Sequence, residues 1–193
     1  MLYLTSDQHL GETRLDIMFR DFFESTEEHD NTIIENWNKT VSPSDTVVVL
    51  GDFAYDNDKL KLADKLNGKK HLILGNHDNL PVEEYEKYFI TVEKDSVFEK
   101  DGQKFYFNHY PSLGRNDMWN ICGHIHGAWR FQKNTINVGV DCWGFTPVSF
   151  DQILMTMNAI DKYYDKDVWA YDLEANQGFD NRGLNTSYAD KHN

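Results

Sequence analysis

The sequence is short of four things, and each absence narrows what the chain can be. Only two cysteines occur, Cys122 and Cys142, and they form no C-x-x-C pair. That excludes a disulfide framework and a thiolate zinc site as the organising principle, and it fits a reduced, cytoplasmic setting, with one disulfide left open. Basic residues are scarce: 19 Lys and Arg stand against 32 Asp and Glu, a net charge of -13. A broad surface that tracks a nucleic-acid backbone is disfavoured, because such binding is driven mainly by Lys and Arg. No apolar run approaches the roughly 20 residues of a membrane span, and the apolar start Met1–Thr5 is too short for a signal peptide. No internal repeat or low-complexity linker interrupts the 193 residues.

What is present is apolar enough to fold unaided. Hydrophobic residues make up 40% and aromatics 14%, including 12 Phe, 10 Tyr and 5 Trp. Short β-rich runs alternate with helical patterns, which points to an α/β layered domain. Strands are expected at Met1–Thr5, Thr46–Leu50, His71–Leu74, Lys104–Phe107, Trp119–Cys122 and Thr135–Val140. Ser25 with Glu28 reads as a capping box that opens a helix carrying Ile33, Ile34, Trp37 and Val41 on one side. Ser149 with Gln152 repeats the signal before Ile153, Met157, Ile160 and Tyr164. A shorter helix is expected from Asp58 to Leu66. One domain is expected over residues 1–164, followed by a polar extension at 165–193 that belongs to it or trails from it.

The chemistry gathers where apolar strands run out. Leu2-Tyr3-Leu4 leads to Asp7 and His9, Val47-Val48-Val49-Leu50 to Gly51-Asp52, and Leu72-Ile73-Leu74 to Gly75-Asn76-His77-Asp78. Phe105-Tyr106-Phe107 leads to Asn108-His109, and Ile121-Cys122 to Gly123-His124-Ile125-His126. The carboxyl ends of strands line the ligand crevice of open α/β sheets, so five such endings would concentrate carboxylate, amide and imidazole groups in one cleft. The glycines before Asp52, Asn76 and His124 permit unusual backbone angles and close approach. Each block alone is unremarkable; five in this order are hard to explain as structure without chemistry.

This ordered set resembles the calcineurin-like metallophosphoesterase superfamily, in the manner of its compact bacterial and phage members, and the likeness covers about residues 1 to 145. The resemblance implies a four-layer αββα sandwich of two mixed β-sheets flanked by helices. It also implies two divalent metal ions, one held by Asp7, His9, Asp52 and His126 and the other by Asp52, Asn76, His109 and His124. Oxygen and imidazole donors suit manganese, iron, zinc, cobalt or nickel, and with the resemblance manganese is the first expectation. Two such ions can share a water, lower its pKa and so direct hydroxide at phosphorus. His77 is then placed to assist the leaving group, with Asp78 fixing its tautomer.

Other residues carry weaker expectations. Arg14 and Arg115 are candidates for binding a substrate phosphate through their planar donor forks. Trp129 and Trp143 either wall the pocket or belong to the core, and Cys122 is expected to face inward as a small hydrophobe. His29, His71 and His192 read as structural or solvated. The expected substrate is a small, nucleotide-like phosphomonoester or phosphodiester. A nuclease acting on DNA or RNA ends is the alternative, and a non-catalytic scaffold is disfavoured because no donor position is missing. A protein phosphatase is disfavoured, since the short chain has no obvious docking segments. Oligomeric state is not legible in the sequence.

Overall fold

The computed structural model describes residues 1–132 and 134–163. The chain divides into two compact units, Met1–Ile153 and Leu154–Asn193. Of the second, the described part is the helical stretch from Leu154 to Tyr163, and the 165–193 extension lies outside the described residues.

The frame of the first unit is two mixed five-stranded sheets, which with the helices form the expected α/β sandwich. In the first sheet β1 (Leu2–Thr5), β2 (Thr46–Val49), β3 (Lys69–Ile73) and β4 (Val92–Glu93) run parallel, and β10 (Val148–Ser149) joins β1 antiparallel. In β2 the run Val47-Val48-Val49 buries Val47 and Val49 fully on one face, while Val48 is half-buried on the other. Pleating sends Tyr3, Val47, Val49 and Leu72 to one face. There they share a buried cluster with Ile33, Trp37 and Val41 from helix α1 (Thr26–Thr40) and its C-terminal cap. Trp37 adds a polar anchor, its Nε1–H donating to the Asn67 carbonyl at 2.9 Å.

The second sheet has the order β5 (Asp95–Lys100), β6 (Gln103–Asn108), β7 (Trp119–Cys122), β9 (Thr135–Asn137) and β8 (Phe131–Gln132). β6, β7 and β9 are parallel, while β5 and β8 pair antiparallel at the edges. The expected strand at Thr135–Val140 ends early, at Asn137. Gly139 instead bridges to Ser6, and Val140–Cys142 turns into a 3-10 helix. That bridge ties the ends of β1 and β9 together, with Val140 N–H donating to the Ser6 carbonyl at 3.0 Å.

Both N-caps form, and the box at Ser149 closes reciprocally. Ser25 accepts from Glu28 N–H at 3.1 Å, although the Glu28 carboxylate reaches past Ser25 to Glu24 N–H at 2.7 Å. Ser149 and Gln152 bond reciprocally, 3.2 Å one way and 3.1 Å the other, at the start of α4 (Phe150–Tyr163). The shorter helix is one α turn, α2 (Asn57–Leu60), tightening into a 3-10 run over Lys61–Lys65. A further turn, α3 (Val82–Tyr85), leads towards β4. Among the described residues no helix is long and apolar enough to cross a membrane.

Candidate metal centre

The parallel register brings the strand ends level: Thr5 is opposite Val49, and Phe107 is opposite Ile121. The chain leaves each strand by a sharp turn. Asp7, His9, Asp52, His124 and His126 all take left-handed φ angles, between 48° and 74°. For residues with a β-carbon such angles are uncommon and cost free energy, and they persist where surrounding contacts over-determine them. Backbone bonds supply that constraint: Asp7 N–H donates to the Gly51 carbonyl at 3.0 Å and His9 N–H to that of Asp52 at 2.9 Å. Gly51 has φ 95°, and a β-carbon there would lie 2.5 Å from His109 Nδ1. At Gly123 a β-carbon would collide with Ser6 Oγ and the Asp7 carboxylate. Both sites therefore require glycine so that the donor groups can close up.

Two groups of donor atoms result. Asp7, His9 and His126 form one and Asp52, His109 and His124 the other, each with its donor atoms within 4.8 Å of one another. Asp52 Oδ2 lies between the groups, 3.3 Å from His109 Nε2 and 3.6 Å from His9 Nε2. Asn76 Oδ1 completes the second group at 3.1 Å from His109 Nε2 and 2.8 Å from His124 Nδ1. Donors that share one small divalent ion at about 2.1 Å stand roughly 3 Å apart, so the separations around Asn76 suit a cation.

The donor chemistry also fits a metal. His9 Nε2 is buried with no hydrogen-bond partner. Burial lowers the His9 pKa to about 3, so the ring is neutral and one of its two nitrogens carries a free lone pair. Burial pushes Asp7 up to about 6 against the pull of His109 and His126. Burial also works to raise Asp52, but the hydrogen bond and charge of His109 prevail, aided by His77 N–H at 2.8 Å, and hold it at about 2. Buried carboxylates beside an unpartnered neutral imidazole are a strong donor set for a divalent cation. Cys122 is buried close by, but burial raises its thiol pKa, so it offers no thiolate.

All seven expected donors therefore meet at this edge. His77 meets them too, exposed, its ring centroid 5.1 Å from that of His9. The expectation for Asp78 needs correction. Its carboxylate does not orient His77 but accepts backbone N–H groups from Asp52 at 2.8 Å, Phe53 at 3.1 Å and Gly75 at 2.8 Å. A buried carboxylate facing three donors is satisfied by them, which makes Asp78 the clamp on the turns that present Asp52 and Asn76. Neither arginine is brought onto the donors: Arg14 pairs with Glu12 at 3.3 Å, and the Arg115 guanidinium lies 4.3 Å over the Tyr106 ring. Trp143 packs under Arg130 and donates to the Asn137 carbonyl at 2.8 Å, as a structural residue does. His29 is structural, as expected, whereas His71 Nδ1 lies 2.9 Å from Thr91 Oγ1 beside a separate gap between the sheets.

Arg20, which carried no expectation from the sequence, is fully buried behind the first group. It donates to the Asp7 carbonyl at 2.7 Å and the Gln8 carbonyl at 3.2 Å, and it grips both oxygens of Asp141 at 2.8 and 2.7 Å. Asp141 in turn lies 3.2 Å from His126 Nδ1, fixing that ring. Burial alone would raise the Asp141 pKa, but the bonds from Arg20 and His126 hold it well below the usual carboxylate range. Behind Arg20, His29 Nε2 stands at 3.0 Å, and His29 leads on to Asp30, which accepts from Lys59 at 2.9 Å.

These features agree with what comparison finds. The calcineurin-like phosphoesterase family model matches residues 2–173, and the chain belongs to that family. An uncharacterized protein of Methanocaldococcus jannaschii is 33% identical over 167 residues, covering 79% of this chain and 89% of that protein. The Gene 66 protein of Mycobacterium phage L5 is 29% identical over 197 residues, covering 82% and 94%. Among solved structures, a protein of unknown function from Aquifex aeolicus superposes with a TM-score of 0.64 at 25% identity, covering 81% of this chain and 98% of that one.

Proposed function

We propose that the protein is a binuclear metal-dependent hydrolase of small phosphoesters, phosphomonoester or phosphodiester, with a nucleotide-like substrate preferred. The observation that carries the proposal is the shared carboxylate: Asp52 Oδ2 faces both donor groups while the buried His9 Nε2 has no protein partner. Asp7, His9, Asp52 and His126 would hold one ion, and Asp52, Asn76, His109 and His124 the other, with manganese the first candidate. Bound there, the ions supply charge to neutralise phosphoryl oxygens and activate water for attack at phosphorus.

The protein's own groups do the rest. His77 lies at the exposed rim and donates a proton to the leaving oxygen, or stabilises the charge developing on it. Asp78 and Arg20 hold the turns that keep the donors in place, so that little reorganisation is needed when substrate arrives. The net charge of -13 favours a compact phosphoester over a nucleic-acid strand. Turnover of paired chromogenic phosphomonoester and phosphodiester substrates tests the proposal, comparing manganese-loaded, chelated and Asp52→Asn protein. Turnover confined to the loaded wild type is expected, with a loss of roughly 10³-fold or more in the variant. Equal rates in all three samples would overturn the proposal.

A further inference from the structure

Immediately beside His124 and His126 a cleft of about 580 Å³ opens, and its far wall is apolar. Ile17, Met18, Phe19, Phe22 and Phe145 line it, and no Lys or Arg does so among the described residues. Three of these side chains are strongly exposed: Phe19 at 85%, Phe22 at 64% and Ile17 at 57%. Single exposed apolar residues are ordinary, but a contiguous patch against a polar centre marks a binding surface. The wall is partly built in advance. Phe22 stands edge-on to Phe145, with ring centroids 5.8 Å apart, and Phe145 lies under the buried Arg20 guanidinium at 5.4 Å. Phe19 is presented at a left-handed φ of 56° by the turn closing the 3-10 helix Leu15–Met18. The one carboxylate on the lining, Asp141, is already occupied by Arg20 and His126, so it does not call for a polar ligand.

We infer that this cleft is the subsite for the organic part of the substrate, and that this part carries a flat, uncharged aromatic ring. The inference rests on the phosphoesterase reading above, because His124 and His126 line the cleft and also belong to the donor groups. A phosphoryl group on the metals would thus leave its ester substituent against Phe19 and Phe22. A second phosphate would find no cation on that wall. A ring gains from burial and from edge or face contacts with phenylalanine. Both a simple aryl ester and a nucleobase supply such a ring.

The test uses non-hydrolysable phosphonates, so that leaving-group chemistry plays no part. Calorimetry on manganese-loaded protein compares methylphosphonate, naphthylmethylphosphonate and the methylene analogue of a nucleoside monophosphate. Both ring-bearing ligands, or one of them, should bind roughly 10- to 100-fold tighter than methylphosphonate, the gain from burying a phenylalanine-sized group. Whichever gains more identifies the source of the ring. In the double variant Phe19→Ser, Phe22→Ser the ratio should fall towards one. A ratio near one in the wild type, or a ratio unchanged in the variant, overturns the subsite. The patch would then be left to a second copy of the chain, visible as a dimer that the variant dissolves. No binding of any phosphonate to protein holding two metals would instead overturn the phosphoesterase reading itself.

Discussion

The two donor groups are supported in different ways. Behind Asp7, His9 and His126 stands a chain of side chains: Arg20 on the Asp7 carbonyl and on Asp141, Asp141 on His126, and His29 and Asp30 further back. Behind Asp52, His109 and His124 the support comes from the backbone. His109 Nδ1 lies 2.6 Å from the Leu50 carbonyl, and Asp78 clamps the turns through main-chain N–H groups. The first group is largely buried, whereas His124 and Asn76 of the second are exposed. A ligand ring whose second nitrogen is held by a carboxylate is oriented and made more basic, which strengthens metal binding. The first group should therefore hold its ion more tightly, and the second should be the one that exchanges.

Breaking either support should separate the two. The largest effect is expected at His77, which belongs to neither group: His77→Ala should lower kcat by roughly 10²–10⁴-fold while both metals stay bound. Steady-state kinetics with metal analysis of the same sample checks this, and a matching loss of metal would remove the acid role.

Asp141→Asn comes next. It should weaken metal binding at the first group by about 10–100-fold, and it leaves Arg20 buried without its charge partner, a change costing about 3–5 kcal/mol. Metal titration and thermal unfolding report the two parts separately. Asn76→Ala acts on the exposed group instead, and should lose the exchangeable ion with little change in melting temperature. Loss of the same ion, the weaker or the tighter one, from both variants would erase the distinction between the groups.

Further back, Asp30 gives a pH signature. Burial raises its pKa, but bonds from His29, Lys59 and Gly11 N–H prevail and hold it below the ordinary value. A depressed folded pKa contributes stability that is present above the unfolded value, near 3.9, and is lost as pH falls through the folded one. Asp30→Asn should accordingly be less stable than wild type at pH 7, by about 1.5–3 kcal/mol, with the gap closing below about pH 4. Melting temperatures of both proteins across pH 3–7 decide this. Smallest of all, Ser25→Ala removes the cap on α1 and should cost about 1 kcal/mol without altering metal content.

The same contrast shows how far the sequence could be read. Each donor block sits at the end of one apolar strand, so local pattern locates it, and register then brings the five blocks together. The Arg20–Asp141 pair is separated by 121 positions, and Arg20 lies in a stretch with no periodic signal, so nothing local announces it. Asp78 was visible as part of a motif, but its three partners are backbone groups, which a sequence does not display. The left-handed angles at Asp7, His9, Asp52, His124 and His126 were hidden for another reason: glycine is the usual sign of such turns, and only Gly51 carries one beside the donors. β5 escaped because its alternation, Asp95-Ser96-Val97-Phe98-Glu99-Lys100, is mostly polar. The Asp101-Gly102 turn that joins it to β6, with φ 53° and 78°, is the signal that would have revealed the hairpin.

The most direct test of the shared-carboxylate centre is the number of manganese ions per chain, measured by mass spectrometry under native conditions for wild type and Asp52→Asn. Two ions in the wild type and at most one in the variant are expected, because Asp52 Oδ2 faces both donor groups. A single ion in the wild type, or two retained after the substitution, would contradict a binuclear site built around Asp52.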